Sequence, residues 1–419
     1  MSFLKTKNNK EVRKYSDYLV AVGAFSNLYS SSNKPYIQYR VAENVFCKAF
    51  DAENLARADS AYDAYIGGFG IGIKTFVLSG KSKIEKVAEF NSYSPELRLL
   101  RGIELAKRLA YYRNERIEFA DRIYDIKNRI YHIIGRDKGT IKIFEVIYEL
   151  IDIPSIKIIQ ETKSSLRFKD RNNEYNFNYS KSVLMMRFNV PDNCLVLEID
   201  IIEDPISLLV SLSGQKSSAI VDMPFTDKLK VASAKLKQII SQTHDAPSED
   251  IQLGFAYTDE LIAGKDYVIL PLYSHNAKEN GREPIVPLKS QLNQWNAGGR
   301  KRDPGEVYIP IPAEIHNIAP EFFPEKDYVF KLKVPNGDIL NAKVCQDGSK
   351  ALMTNPNNAL ADWLLRKVLR LEEKEILTYE HLRKVGYDSV KITKVEKDEF
   401  LIDFAPLDTY ENFILKNYE

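Results

Sequence analysis

The chain has 419 residues, of which 44% are hydrophobic and 28% charged, the balance of a soluble globular protein long enough for two or three separate cores. With 59 Lys and Arg against 58 Asp and Glu, the net charge is +1, so bulk charge selects no polyanion and only a local patch can. Cys47, Cys194 and Cys345 stand far apart, which excludes a disulfide framework and a paired-cysteine zinc site. The first residues lack the apolar core of a signal peptide and no apolar run approaches a membrane span, so a cytoplasmic protein with no membrane partner is expected.

Residues 11–57 read as mainly helical. In YRVAENVFCKAF, Val41, Val45 and Ala49 recur at four-residue steps, as do Ala42, Phe46 and Phe50, with Glu43 at the edge of that apolar face. Next comes SAYDAYIGGFGIGIKTF, residues 60–76, in which two runs rich in aromatic and β-branched residues flank Gly67-Gly68, a hairpin signal. A two-residue turn there sets Asp63 opposite Gly72, with Lys74 on the same face. Ser82 and Glu85 have capping-box spacing, which predicts a helix running through Glu89. A helical pattern extends from Pro95 to about Gly135, strands fill 139–215, and a further helix is expected near Thr226–Thr243.

The polar stretch His244–Asp250 reads as a domain boundary, giving domains at 1–245 and 255–419 with a linker at 246–254. Beyond it lie short strands with frequent turns, YVILPLYS, EVYIPIP, DYVFKLKVPNGDILNAKV and SVKITKVEKDEFLIDF, with Asn336-Gly337 turning the third. Helices are expected over Asn358–Leu369 and Tyr379–Val385. The fold class is therefore an α/β (α+β) domain followed by a mainly-β one.

Inspection removes several chemistries. Gly80-Lys81-Ser82 lacks the first glycine of a phosphate loop, no His-Glu-x-x-His occurs, and no histidine is followed two places on by lysine. An Asp ending one strand and a Lys on the next, after a helix bearing a glutamate, resembles the PD-(D/E)XK nucleases over roughly Tyr36 to Asn91. That resemblance implies Mg²⁺ held by Asp63 and a second acid, with Lys74 orienting the attacking water. The family acid two places before the lysine is Gly72 here. Glu89 on the following element is the expected replacement and so a metal ligand, Glu85 being spent on its cap, and Glu43 is expected to support the metal. The plain alternative is that Asp63 and Lys74 form a solvated cross-strand pair. Glu198 and Asp200 form a second-ranked acid pair.

Residues 286–312, VPLKSQLNQWNAGGRKRDPGEVYIPIP, carry a different chemistry. Gln291, Asn293, Gln294 and Asn296 are amides able to read base edges; Lys289, Arg300, Lys301 and Arg302 can meet phosphates or guanine; Trp295 supplies an anchor. From Lys278 to Arg302 the bases Lys278, Arg282, Lys289, Arg300, Lys301 and Arg302 outnumber the acids Glu279 and Glu283. The order of these motifs, with FFPEKDYVFKLKVPNGDIL, QDGSKALMTNPNN and YDSVKITKVEKDEFLIDF, resembles the C-terminal domain of NgoFVII and BfiI-type restriction endonucleases over about Gly264 to Phe404. The resemblance implies a plant B-three-like pseudobarrel that embraces the major groove of double-stranded DNA with two arms. Gln294 to Arg302 would lie in the first arm and Gln346 to Asn358 in the second. It implies a type II restriction endonuclease, with a cognate methyltransferase in the same system and a homodimer to cut both strands. A DNA-binding protein without catalysis is the competing reading.

Overall fold

The computed structural model describes residues 2–56, 60–91, 93–212, 266–274 and 283–418. The helix expected near Thr226–Thr243 and the boundary at His244–Asp250 lie outside them. The chain divides into two compact units. Met1–Asn54, Ile71–Ala110 and Arg129–Phe255 form the first; Leu55–Gly70, Tyr111–Asn128 and Ala256–Glu419 form the second.

The first half opens with two helices, α1 (Asn9–Ala24), closed by a reciprocal Asn8–Glu11 cap, and α2 (Tyr39–Phe50). As the four-residue repeats predict, α2 buries Ala42, Val45, Phe46, Ala49 and Phe50, and a left-handed Asp51 stops it. The strands that follow are β1 (Glu53–Asn54), β2 (Ala64–Ile66), β3 (Phe69–Val77), β4 (Ser82–Glu89), β5 (Asn128–Asp137), β6 (Thr140–Ile147), β7 (Lys157–Glu161), β8 (Ser165–Lys169), β9 (Glu174–Asn178), β10 (Val183–Asn189) and β11 (Leu195–Glu198). Gly67 and Gly68, at φ 53° and 78°, make the two-residue turn between β2 and β3. One sheet runs β1-β2-β3-β5-β6-β11, and an antiparallel sheet runs β4-β10-β9-β8-β7. In the latter, Leu166, Phe168, Tyr175, Phe177, Leu184, Met186 and Phe188 alternate onto one buried face.

Three expectations are overturned here. Ser82–Glu89 is a strand, not a helix: it pairs along its length with β10, and the Ser82 hydroxyl accepts from Arg187 (3.0 Å) instead of capping a helix. The spacing Ser-x-x-Glu is a purely local signal, and a ladder partner a hundred residues away outweighs it. The helical stretch from Pro95 also ends early. Helix α4 (Gly102–Tyr124), which follows the single turn α3 (Ser94–Leu97), stops before a left-handed Asp125, and 128–137 is β5 in register with β6. After β11, a short helix α5 (Pro205–Leu212) replaces the expected strand.

The second unit holds β12 (Tyr267–Pro271), β13 (Ile309–Pro310), β14 (Val329–Lys333), β15 (Ile339–Cys345), β16 (Ala351–Thr354), β17 (Tyr387–Glu396) and β18 (Glu399–Pro406). They form one sheet in the order β12-β17-β18-β14-β15-β16-β13, antiparallel except for β14 with β18. Its last strand returns to its first, so the sheet closes almost into a barrel. Phe330, Leu332, Val344, Ile392, Phe400 and Ile402 fill its inside. The two predicted helices are present, at Ala359–Val368 and at Tyr379–Val385, and Gly337 (φ 92°) serves the β14–β15 turn. A C-terminal helix, Thr409–Tyr418, was not foreseen. Within this unit the second half of α4 packs through Phe119, which stacks on Tyr387 at 5.0 Å, and through Arg122, which donates to the Val368 carbonyl at 2.7 Å.

Candidate nucleic-acid interface and lysine corner

Residues 289–306 form an irregular segment that enters β13 of the second unit. Gln291–Asn296 is a kinked 3₁₀ turn. Asn293 is fully buried at its base. Its amide nitrogen donates to the carbonyls of Leu377 (2.8 Å) and Pro287 (3.1 Å), and its oxygen accepts from the Leu377 N–H (2.9 Å). Both N–H donors and the oxygen of that carboxamide are engaged internally and the side chain is fully buried, so Asn293 anchors the segment and does not read a base. Asn296 donates to the Leu288 carbonyl at 3.2 Å. The Trp295 indole N–H is buried with no hydrogen-bond partner among the described residues, which makes the ring an inward-facing anchor. Lys289 and Lys301 are exposed.

The Gln291 side-chain oxygen is buried with no hydrogen-bond partner among the described residues, and the other three predicted readers share one acceptor. Gln294 donates its amide N–H to Glu306 Oε1 at 2.9 Å, and the guanidinium groups of Arg300 and Arg302 both donate to that same oxygen. The Glu306 side chain is only 6% exposed, whereas Arg300 is 60% and Arg302 19% exposed. A tight turn sets the carboxylate in place. The Asp303 carboxylate accepts from the Gly305 N–H (2.8 Å) and its carbonyl accepts from the Glu306 N–H (2.9 Å). A Cβ on Gly305 would lie 2.6 Å from Asn358 Cβ, so only glycine fits. Sequence reasoning missed Glu306. The signal was present, an acid four residues after Arg302 in a basic run, but its value depends on burial. In the other proposed arm, Ala351–Thr354 is wholly buried as β16 between β15 and β13, so only its flanks at 347–348, 350 and 355–358 are exposed.

Residues 270–396 match the NgoFVII C-terminal B3-like DNA-binding domain. The match runs from β12 to the end of β17 and takes in the whole segment around Glu306. No curated protein matches the chain.

In the first unit, Lys74 projects from β3 with its ammonium 5.9 Å from the centre of the Tyr131 ring. Tyr131 stacks on Tyr148 at 3.9 Å and lies against Gly72, where an added Cβ would come within 2.9 Å of the ring. The place where the resemblance leads one to look for an acid is thus roofed by a tyrosine. Asp63 immediately precedes β2, and its carbonyl accepts from the Leu55 N–H (2.9 Å); it belongs to the segment Leu55–Gly70 of the second unit, whereas Lys74 belongs to the first. Glu43 is buried in α2 and paired with Arg40 at 3.2 Å.

Glu89 lies at the end of β4, bonded to Lys86 (3.0 Å) and Asn91, and those hydrogen bonds hold its carboxyl below the usual range. Glu85 differs. Burial pushes its carboxyl up, while Lys83, Lys74 and Arg136 pull the other way. The acid that senses Lys74 on this strand is therefore Glu85, which the mistaken cap had set aside. Four strand residues, roughly 13 Å, separate it from Glu89. Among the described residues no group of three or more His, Cys, Asp or Glu side chains is placed to hold a metal ion.

Proposed function

We propose that this chain is a restriction endonuclease that reads double-stranded DNA in a sequence-specific way through its second unit and cuts it with its first. The observation that carries the reading is the match over residues 270–396, which encloses a basic segment whose arginines are held in fixed positions by Glu306. Exposed Lys289, Lys301 and Arg300 are suited to phosphates and base edges, and their electrostatic share makes binding fall steeply with salt. Nothing about the net charge of +1 opposes this, because the cations are concentrated locally.

Cleavage rests on the sequence resemblance, with Lys74 as the residue that orients water and Asp63, Glu43 and an acid of β4 as its companions. The predicted Mg²⁺ ligands Asp63 and Glu89 do not by themselves fit such an ion: Glu89 is held by Lys86 and Asn91, and no larger donor group stands among the described residues. No step is therefore derived through the metal. The roofing of Gly72 by Tyr131 favours the second reading, a sequence-specific DNA-binding protein that does not cut. Incubating the full chain with mixed plasmid DNA, once with Mg²⁺ and once with EDTA, decides between them. Discrete bands with Mg²⁺ alone, lost in Lys74→Ala while band shifts persist, support the nuclease. Shifts without cutting under either condition leave only the reader.

A further inference from the structure

We propose that Glu306 is a positioning residue for DNA recognition, one that divides the two arginines of the segment into a strut and a reader. The inference rests on the reading of this segment as a DNA-binding one. Both guanidiniums and the Gln294 amide converge on a single oxygen of a buried carboxylate. Two like charges so close would repel, and the carboxylate is what allows them to share the spot. Their surroundings differ. Arg302 is enclosed, and its Nε is buried with no hydrogen-bond partner among the described residues, so its guanidinium is committed to Glu306. Arg300 is mostly exposed and keeps solvent on its outer face.

A phosphate or a guanine edge can take over Arg300 from the carboxylate, or share it, without uncovering any buried group. Taking Arg302 would strip the buried carboxylate of its most enclosed donor. Glu306 therefore does two things. It holds the loop after Gly298-Gly299 in one shape before DNA arrives, and it cancels one positive charge, which suppresses indiscriminate binding to phosphates. Specificity gains from both, since ordering is done beforehand and the non-specific term is reduced.

The test uses the full chain, a duplex recovered by selection from a randomised library, and a scrambled duplex of equal length. For Glu306→Gln the affinity for the scrambled duplex rises and its salt dependence steepens by about one unit of slope, as a freed cation meets a phosphate. The preference for the selected duplex falls roughly tenfold or more. Glu306→Asp restores the wild-type slope and part of the preference. Gln294→Ala, which alters no charge, lowers the preference and leaves the slope unchanged; it serves also if Glu306→Gln does not fold. An unchanged slope and preference in Glu306→Gln, or an unchanged preference in Gln294→Ala, overturns the inference while the DNA reading stands. A wild-type chain that selects no sequence at all removes the DNA reading and the inference together, so the two failures are distinguishable.

Discussion

Glu306 in the second unit and Glu145 in the first are equally secluded, each with a side chain 6% exposed, and each gathers several donors. Glu145 accepts from the His132 ring (Nδ1, 3.2 Å), the Ser2 hydroxyl (2.5 Å) and the Leu4 N–H (3.2 Å). His132 in turn takes a hydrogen bond at Nε2 from the Tyr15 hydroxyl (2.8 Å), within an aromatic cluster with Phe46 and Phe50. The His132 and Tyr15 rings of that chain end inside the protein. One partner of Glu306 ends in solvent, the Arg300 guanidinium, whose outer face is still available. Burial and donor count are the same, so neither separates a structural carboxylate from a functional one; where the far ends of the donors lead does.

The sharpest way to break that distinction is Glu145→Ala. It leaves the Leu4 N–H, the His132 ring and the Ser2 hydroxyl without their acceptor and should destabilise the first unit by about 3 kcal/mol, measured by urea unfolding. DNA binding by the folded fraction should be unaffected. The pH dependence adds a sign. Burial alone would raise the Glu145 carboxyl, but His132, Ser2 and Leu4 outweigh it and hold it below its ordinary value. Its stabilisation is then complete above the carboxylate range of the unfolded chain and disappears as the pH falls through the depressed folded value. The gap in stability between wild type and Glu145→Ala should therefore close in acid. If the gap stays constant, the carboxylate's charge is not what holds the network.

Gly72→Ala tests the lysine corner in the same terms. The added methyl meets Tyr131 at 2.9 Å and Tyr148 at 3.2 Å, two stacked rings with little room to retreat, and a loss of about 2 kcal/mol is expected. A neutral result would mean that the tyrosines move readily and that the position has space for an acid after all.

How far these contrasts could be read in the sequence depends on the range of the interaction that decides them. The Gly67-Gly68 hairpin and the helix of Tyr379–Val385 were legible because a turn or a cap lies within a few residues. The strand of Ser82–Glu89 was not, since its register is set by β10. Asn293 has the chemistry of a base reader, and only the Leu377 backbone, 84 residues on, makes it an anchor. Glu306 was overlooked for the same reason, since no local spacing reports burial, whereas Glu85 was set aside by a capping pattern that the ladder with β10 overrides. The barrel-like second unit was the most legible because its strands are short, ordered and joined by recognisable turns.

Within the segment around Glu306, Arg300→Ala and Arg302→Ala should separate. Loss of Arg300 should cost about 1–3 kcal/mol of discrimination at one base pair with stability unchanged. Loss of Arg302 should lower thermal stability of the second unit as well, because the enclosed Arg302 leaves the buried Glu306 charge without its inner partner, whereas water can take the place of the exposed Arg300. Equal effects on both measurements would abolish the strut-and-reader division.

Lys301→Ala carries the smallest expected effect and sharpens the comparison from the other side. Lys301 is exposed and flanked by the two arginines that Glu306 holds. A lysine meets a phosphate as a point charge and carries no base preference. Its removal should weaken binding to selected and scrambled duplexes by the same factor and reduce the salt slope by about one, leaving their ratio intact. Titrations of both duplexes across a range of salt measure this directly. A change in the ratio would make Lys301 a base reader and shift the recognition surface outward from the residues that Glu306 organises.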